Sequence, residues 1–195
     1  MALTSSTMLA IGTQAPDFKL QDVVTNLETS LDMFVEYKVL LVMFICKHCP
    51  YVVHVKDELL RLARDYSEER VAIVAISSND ADAYPDDSPE SLHQFAIENS
   101  IPFVLCYDPT QEVAKAYSAA CTPDFFVFDN DRKLVYRGQL DDSRPGNNIP
   151  VTGKDLRAAL DAALADKPQA DEQKPSIGCN IKWKAGNEPK YFAHK

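Results

Sequence analysis

Lys38-Val39-Leu40-Leu41-Val42-Met43-Phe44-Ile45-Cys46-Lys47-His48-Cys49-Pro50-Tyr51 is the stretch whose reading decides the fold. Val39 to Ile45 is apolar at every position, the pattern of a strand covered on both faces by helices. Beyond Pro50, the residues Val52, Val55, Leu59, Leu62 and Tyr66 recur at helical spacing, with His54, Glu58, Arg61 and Asp65 on the opposite face. A buried strand therefore delivers two thiols, with two residues between them, to the start of a helix. There the unpaired N–H groups and the positive end of the helix dipole favour thiolate. This is the architecture of a redox-active dithiol. Cys46 is expected to be the nucleophile, nearer the helix end and more exposed, and Cys49 the thiol that resolves a mixed disulfide. Lys47 and His48 lie between them as pKa-tuning cations. Cations here stabilise the reduced pair and so make the disulfide a stronger oxidant.

Outward from this segment, the elements alternate. Val71 to Ile76 reads as a second buried strand, and β-α-β order implies a right-handed crossover to a parallel neighbour. An acidic loop from Asn79 to Asp87 reads as a solvated turn leading to the helix cap Ser88-Pro89-Glu90-Ser91. Phe103 to Tyr107 reads as a strand, Thr110 to Ala119 as a helix, and Asp124–Phe128 with Leu134–Gly138 as a hairpin. Asp155 to Ala165 is the last expected helix. Before the central strand, Ala15–Leu20 and Asn26–Thr29 read as two short extended segments around a turn. After Ala165 comes a polar linker. Then Pro175 to Trp183 holds Cys179, two isoleucines and the only Trp, too apolar for a disordered end, so it is expected to dock.

The chain has 195 residues, enough for one domain with decoration. Its 20 basic against 29 acidic residues give a formal charge of −9, which repels phosphate backbones and anionic lipid. Neither nucleic acid nor membrane is an expected partner. The first residues show no basic n-region and no apolar run of signal-sequence length, so a cytoplasmic location is expected. Five cysteines are an odd number, which excludes a fully paired secreted framework and points to catalytic or metal-binding thiols.

Strand, Cys-x-x-Cys and helix, followed by Thr122-Pro123 ahead of a hairpin, resemble the thioredoxin-like superfamily over roughly Ala15 to Ala165. Ala15-Pro16-Asp17-Phe18, Phe44 to Tyr51, Cys121 to Phe126 and Pro175 to Cys179 look like the peroxiredoxin-like, AhpC/TSA-type branch of bacterial redoxins. The resemblance implies an α/β three-layer sandwich with a central mixed sheet, an N-terminal extension and a docked C-terminal tail. The corresponding divisions are 1–14, 15–165 and 166–195. It also implies a cis peptide before Pro123, packed against the dithiol. Thr122 and Pro123 then become substrate-binding positions, with the residue before the proline offering backbone groups to a bound polypeptide. Where thioredoxin has a tryptophan this chain has Ile45, and where thioredoxin has a buried acid it has Leu40. Met43 brings no hydroxyl to the place where peroxiredoxins carry one.

The expected function is thiol–disulfide oxidoreduction through Cys46 and Cys49, acting on a protein or small-molecule disulfide or thiol, with an unidentified electron donor and no cofactor. A peroxiredoxin-like thiol peroxidase is one alternative. A non-catalytic zinc or copper carrier is another, using Cys46, Cys49 and a histidine. Cys121, beside the proline, and Cys179, in the tail, are candidate additional redox thiols that pair with each other or cap the site. Cys106, in mid-strand, reads as core packing.

Overall fold

A computed structural model describes residues 3–192; residues 1–2 and 193–195, the extremities of the expected N-terminal segment and tail, lie outside the described residues. In chain order the strands are β1 (Leu3–Ser5), β2 (Lys19–Asp22), β3 (Glu28–Ser30), β4 (Val39–Phe44), β5 (Val71–Ser77), β6 (Val104–Tyr107), β7 (Cys121–Thr122), β8 (Asp124–Phe128), β9 (Leu134–Gly138) and β10 (Ile177–Asn180). The α-helices are α1 (Pro50–Asp65), α2 (Pro89–Glu98), α3 (Glu112–Ala116) and α4 (Lys154–Leu164).

The main sheet has seven strands in the order β3-β2-β6-β5-β4-β8-β9. It is mixed: β4 runs parallel to β5 and β5 to β6, while β8 is antiparallel to β4 and β2 to β6. Every residue of β4 is buried. Its side chains alternate between two cores, Val39, Leu41 and Met43 on one face and Leu40, Val42 and Phe44 on the other. The first core is roofed by apolar residues of α1, α2 and α4. The second is closed by α3, by Ala15 and Phe18 near the N-terminus, and by Ile181 and Trp183 of the tail. The tail therefore supplies part of a layer that helices alone do not complete.

Three local readings change in the structure. The helix expected over 110–119 is confined to Glu112–Ala116, because Gln111 and Ser118, at φ +64° and +52°, leave the helical region on either side. The two extended segments near the N-terminus form a hairpin that joins the main sheet through β6. The tail forms the middle strand of a second sheet, β1-β10-β7. In it Leu3 faces Cys179, Cys179 faces Thr122 and Asn180 faces Cys121. Gly178 is required there: a Cβ at that position would lie 2.0 Å from the Thr122 carbonyl oxygen.

Further along, the tail is clamped by buried amides. The Lys182 amide donates to the Asn79 side-chain oxygen at 2.8 Å, and Gln111 Nε2 donates to the carbonyls of Ser78 and Lys182. Trp183 is 9% exposed and packs edge-on against Tyr191 and Phe192. Among the described residues no helix is long and apolar enough to cross a membrane.

Candidate active site

β4 ends at Phe44, and α1 begins only at Pro50. Proline at the first helical position lacks an N–H that would be unpaired anyway, and it holds the preceding residue in extended conformation. Cys49 accordingly sits at the N-cap with φ −68° and ψ 121°. The helix N-terminus thus faces Cys49, not Cys46, which lies three residues earlier in the connecting loop. Neither thiol is exposed: Cys46 is 2% and Cys49 0% accessible, against the expectation of an open Cys46. Packing explains this, since both sulfurs belong to the core under α1 together with Cys179.

Thr122 joins the two thiols. The Cys46 sulfur lies 3.5 Å from the Thr122 hydroxyl, and the Cys49 thiol donates to the Thr122 carbonyl at 3.1 Å. The Thr122–Pro123 peptide is cis. The hydroxyl absent at Met43 is thus supplied beside Cys46 by a residue 76 positions away. The two sulfurs share a hydrogen bond. That bond, with further ones from Cys179, Thr122 and the Val52 amide, pulls Cys49 below the ordinary thiol range despite burial. The same shared bond, burial and the nearby Asp87 carboxylate push Cys46 well above the ordinary thiol range. The two thiols thus titrate as a unit, with one proton given up far more readily than the other.

Lys47 and His48 have partners of their own. The Lys47 amide donates to Asp87 Oδ1 at 2.9 Å and its ammonium to Ser91 Oγ at 2.8 Å. His48 Nδ1 lies 2.6 Å from Asp87 Oδ2, out of line for a ring N–H hydrogen bond, and the ring stacks on Tyr84. Asn79 also donates to Asp87 Oδ2, at 2.7 Å, so one amide connects this carboxylate to the tail at Lys182. Asp87 is fully buried, which corrects its reading as part of a solvated turn. Nothing in the sequence separates it from Asp80, Asp82 and Asp86; only the approach of the Cys46–Cys49 loop does. Cys46, His48 and Asp87 place a sulfur, an imidazole nitrogen and a carboxylate oxygen within 4.8 Å of one another. That donor set suits a zinc or copper ion.

The remaining candidates separate by strand register. Cys179, opposite Thr122, reaches the Cys49 sulfur, whereas Cys121, opposite Asn180, turns to the other side of the small sheet, its thiol 3.6 Å from the Pro123 carbonyl. Cys179 thus shares a core with Cys46 and Cys49, while Cys121 does not. Cys106 is fully buried in β6, where burial pushes it to about 12, in keeping with a packing role. Asp124 is a second buried acid, raised to about 7 by desolvation, but it pairs with Phe44 and so faces the opposite core from the dithiol. The main-chain edge of Thr122, which the family resemblance assigns to a bound polypeptide, is occupied by the chain's own β10. A concavity of about 540 Å³, lined by Asp22, Val23, Pro89, His93 and Tyr107, contains none of the thiols.

The AhpC/TSA family model matches residues 11–137. Among solved structures, an uncharacterized conserved protein from Geobacillus kaustophilus is 56% identical, with a TM-score of 0.93 over 94% of this chain and 97% of that one. A hypothetical protein from Sinorhizobium meliloti 1021 is 48% identical, with a TM-score of 0.92 over 94% of this chain and 100% of that one. A thiol:disulfide interchange protein of the thioredoxin family from Chlorobium tepidum TLS shares the fold at 17% identity, with a TM-score of 0.61 over 80% of this chain and 99% of that one. Among curated proteins none matches the chain.

Proposed function

The chain belongs to the AhpC/TSA family, and from that premise we propose that it is a thiol–disulfide oxidoreductase working through Cys46 and Cys49. The observation that carries this reading is the convergence of both sulfurs on Thr122, the Cys46 sulfur beside its hydroxyl and the Cys49 thiol on its carbonyl. Cys46 is assigned as the attacking sulfur because it lies in the connecting loop and keeps the little exposure the pair has, 2% against 0% for Cys49. The Cys49 thiolate takes the Cys46 proton along their shared hydrogen bond as Cys46 attacks a substrate disulfide. A mixed disulfide forms and the first substrate thiolate leaves. Cys49 then passes that proton to the departing sulfur and attacks Cys46, closing the Cys46–Cys49 disulfide and releasing the second substrate thiolate. Lys47 and His48 act on the pair at second hand, through the contacts that the Lys47 amide and the His48 ring make with Asp87.

Because β10 occupies the edge of Thr122, the substrate favoured by this arrangement is a small-molecule or short-peptide disulfide. A second reading, a thiol peroxidase, is favoured by one observation: the Thr122 hydroxyl lies 3.5 Å from the Cys46 sulfur.

Substitution separates the two readings. Cys46→Ser is expected to abolish disulfide turnover. Cys49→Ser is expected to trap mixed disulfides on Cys46, because it removes the resolving thiol. Equal residual turnover in both variants refutes the dithiol mechanism. Peroxide consumption that survives Cys49→Ser moves the assignment to the peroxidase.

A further inference from the structure

Cys179 stands apart from the other thiols outside the Cys-x-x-Cys motif. Strand β10 fixes it opposite Thr122, and the Thr122 carbonyl is the acceptor for Cys49. It is 4% exposed, shares one apolar core with Cys46 and Cys49, and its thiol is in hydrogen-bond contact with the Cys49 sulfur. Its position is held from both sides. The neighbouring Gly178 leaves no room for a Cβ between β10 and Thr122, and the Ile181 amide donates to the Ala120 carbonyl at 3.1 Å. Three sulfurs thus lie in the order Cys46, Cys49, Cys179, with the fully buried Cys49 in the middle.

We propose that Cys179 is a third redox thiol of this site, placed to attack the Cys49 sulfur of the Cys46–Cys49 disulfide and move the disulfide to Cys49–Cys179. In that step the Cys49–Cys179 bond forms as the Cys46–Cys49 bond breaks. Cys179 gives up a proton, Cys46 leaves as thiolate and takes one up, and no electron enters or leaves the protein. The inference rests on the dithiol reading above and extends it. The protein stores its oxidising equivalent between its tail and α1 while Cys46 returns to the thiol form. Burial holds Cys179 up near 12, and closing a disulfide at Cys49 removes the charge that contributes to this. Since only the thiolate attacks, the exchange rate should rise about tenfold per pH unit between pH 7 and 9.

The test is oxidation of the purified protein with one equivalent of diamide, followed by acid quench, alkylation and peptide mapping. In the wild type, a fraction of one-disulfide molecules should carry alkylated Cys46 and a Cys49–Cys179 link. Cys179→Ser should lose that fraction completely and hold only Cys46–Cys49. Cys46→Ser should form Cys49–Cys179. If Cys46–Cys49 forms in the wild type and in Cys179→Ser, but Cys46→Ser leaves Cys49 and Cys179 separately alkylated, the exchange is overturned and the dithiol reading stands. If no Cys46–Cys49 disulfide forms in either of the first two proteins, the dithiol reading falls and the exchange falls with it.

Discussion

Replacing Asp87 by Asn should make the Cys46–Cys49 disulfide more oxidising. Asp87 is fully buried with an oxygen within 4.8 Å of the Cys46 sulfur, and its carboxylate is one of the causes that push Cys46 up. At that separation a unit charge destabilises a thiolate on Cys46 by about 3.5 kcal/mol at an effective dielectric near 20. For a two-electron couple this equals about 75 mV. The charge of the reduced pair is shared with Cys49, and the acid already accepts hydrogen bonds from the Lys47 amide and the Asn79 side chain. About half the full effect, ~35 mV, is therefore expected. The sign follows from the states compared: only the reduced form carries charge, so removing a neighbouring negative charge stabilises it alone and raises the potential. Equilibration in glutathione buffers, with alkylation of the remaining thiols, measures the shift. A potential that stays within ~10 mV of wild type, or moves lower, refutes the assignment of Asp87 as the electrostatic control of this site. Thermal unfolding should accompany the assay, because weakening a buried hydrogen-bond network costs about 1–3 kcal/mol.

Gly178→Ala forces a Cβ to within 2.0 Å of the Thr122 carbonyl oxygen, a backbone atom with nowhere to go. We expect β10 to separate from β7 at a cost of roughly 1–3 kcal/mol or more, seen as a red-shifted Trp183 emission and faster alkylation of Cys179; unchanged fluorescence would contradict the packing. Asp124, raised to about 7 by full burial, binds its proton more tightly in the folded than in the unfolded chain. Its stabilising contribution is complete below pH ~4 and lost as pH rises through ~7. Asp124→Asn should therefore raise the melting temperature more at pH 8 than at pH 5, and an equal effect at both would show that the carboxyl titrates normally.

The sequence by itself determined the fold and the chemistry of the motif, because both are written in local patterns. Seven consecutive apolar residues, Val39 to Ile45, just before Cys46 read as a strand buried on both faces, and the helical periodicity after Pro50 sets the crossover to β5. The apolar content of Pro175–Trp183 likewise foretold that the tail docks. Pro50 even carried the clue that α1 starts after Cys49, since a proline excludes its predecessor from the helix. The surroundings of the dithiol were decided elsewhere. They include Thr122, Asp87 and Cys179, which lie 76, 41 and 133 positions from Cys46 and join the Cys46–Cys49 pair only when the sheets assemble. Hydrogen bonds and electrostatic fields act over a few ångströms of space whatever the distance along the chain. Asp87 and Asp86 are therefore alike in sequence, and only the fold makes one of them a buried partner of the dithiol.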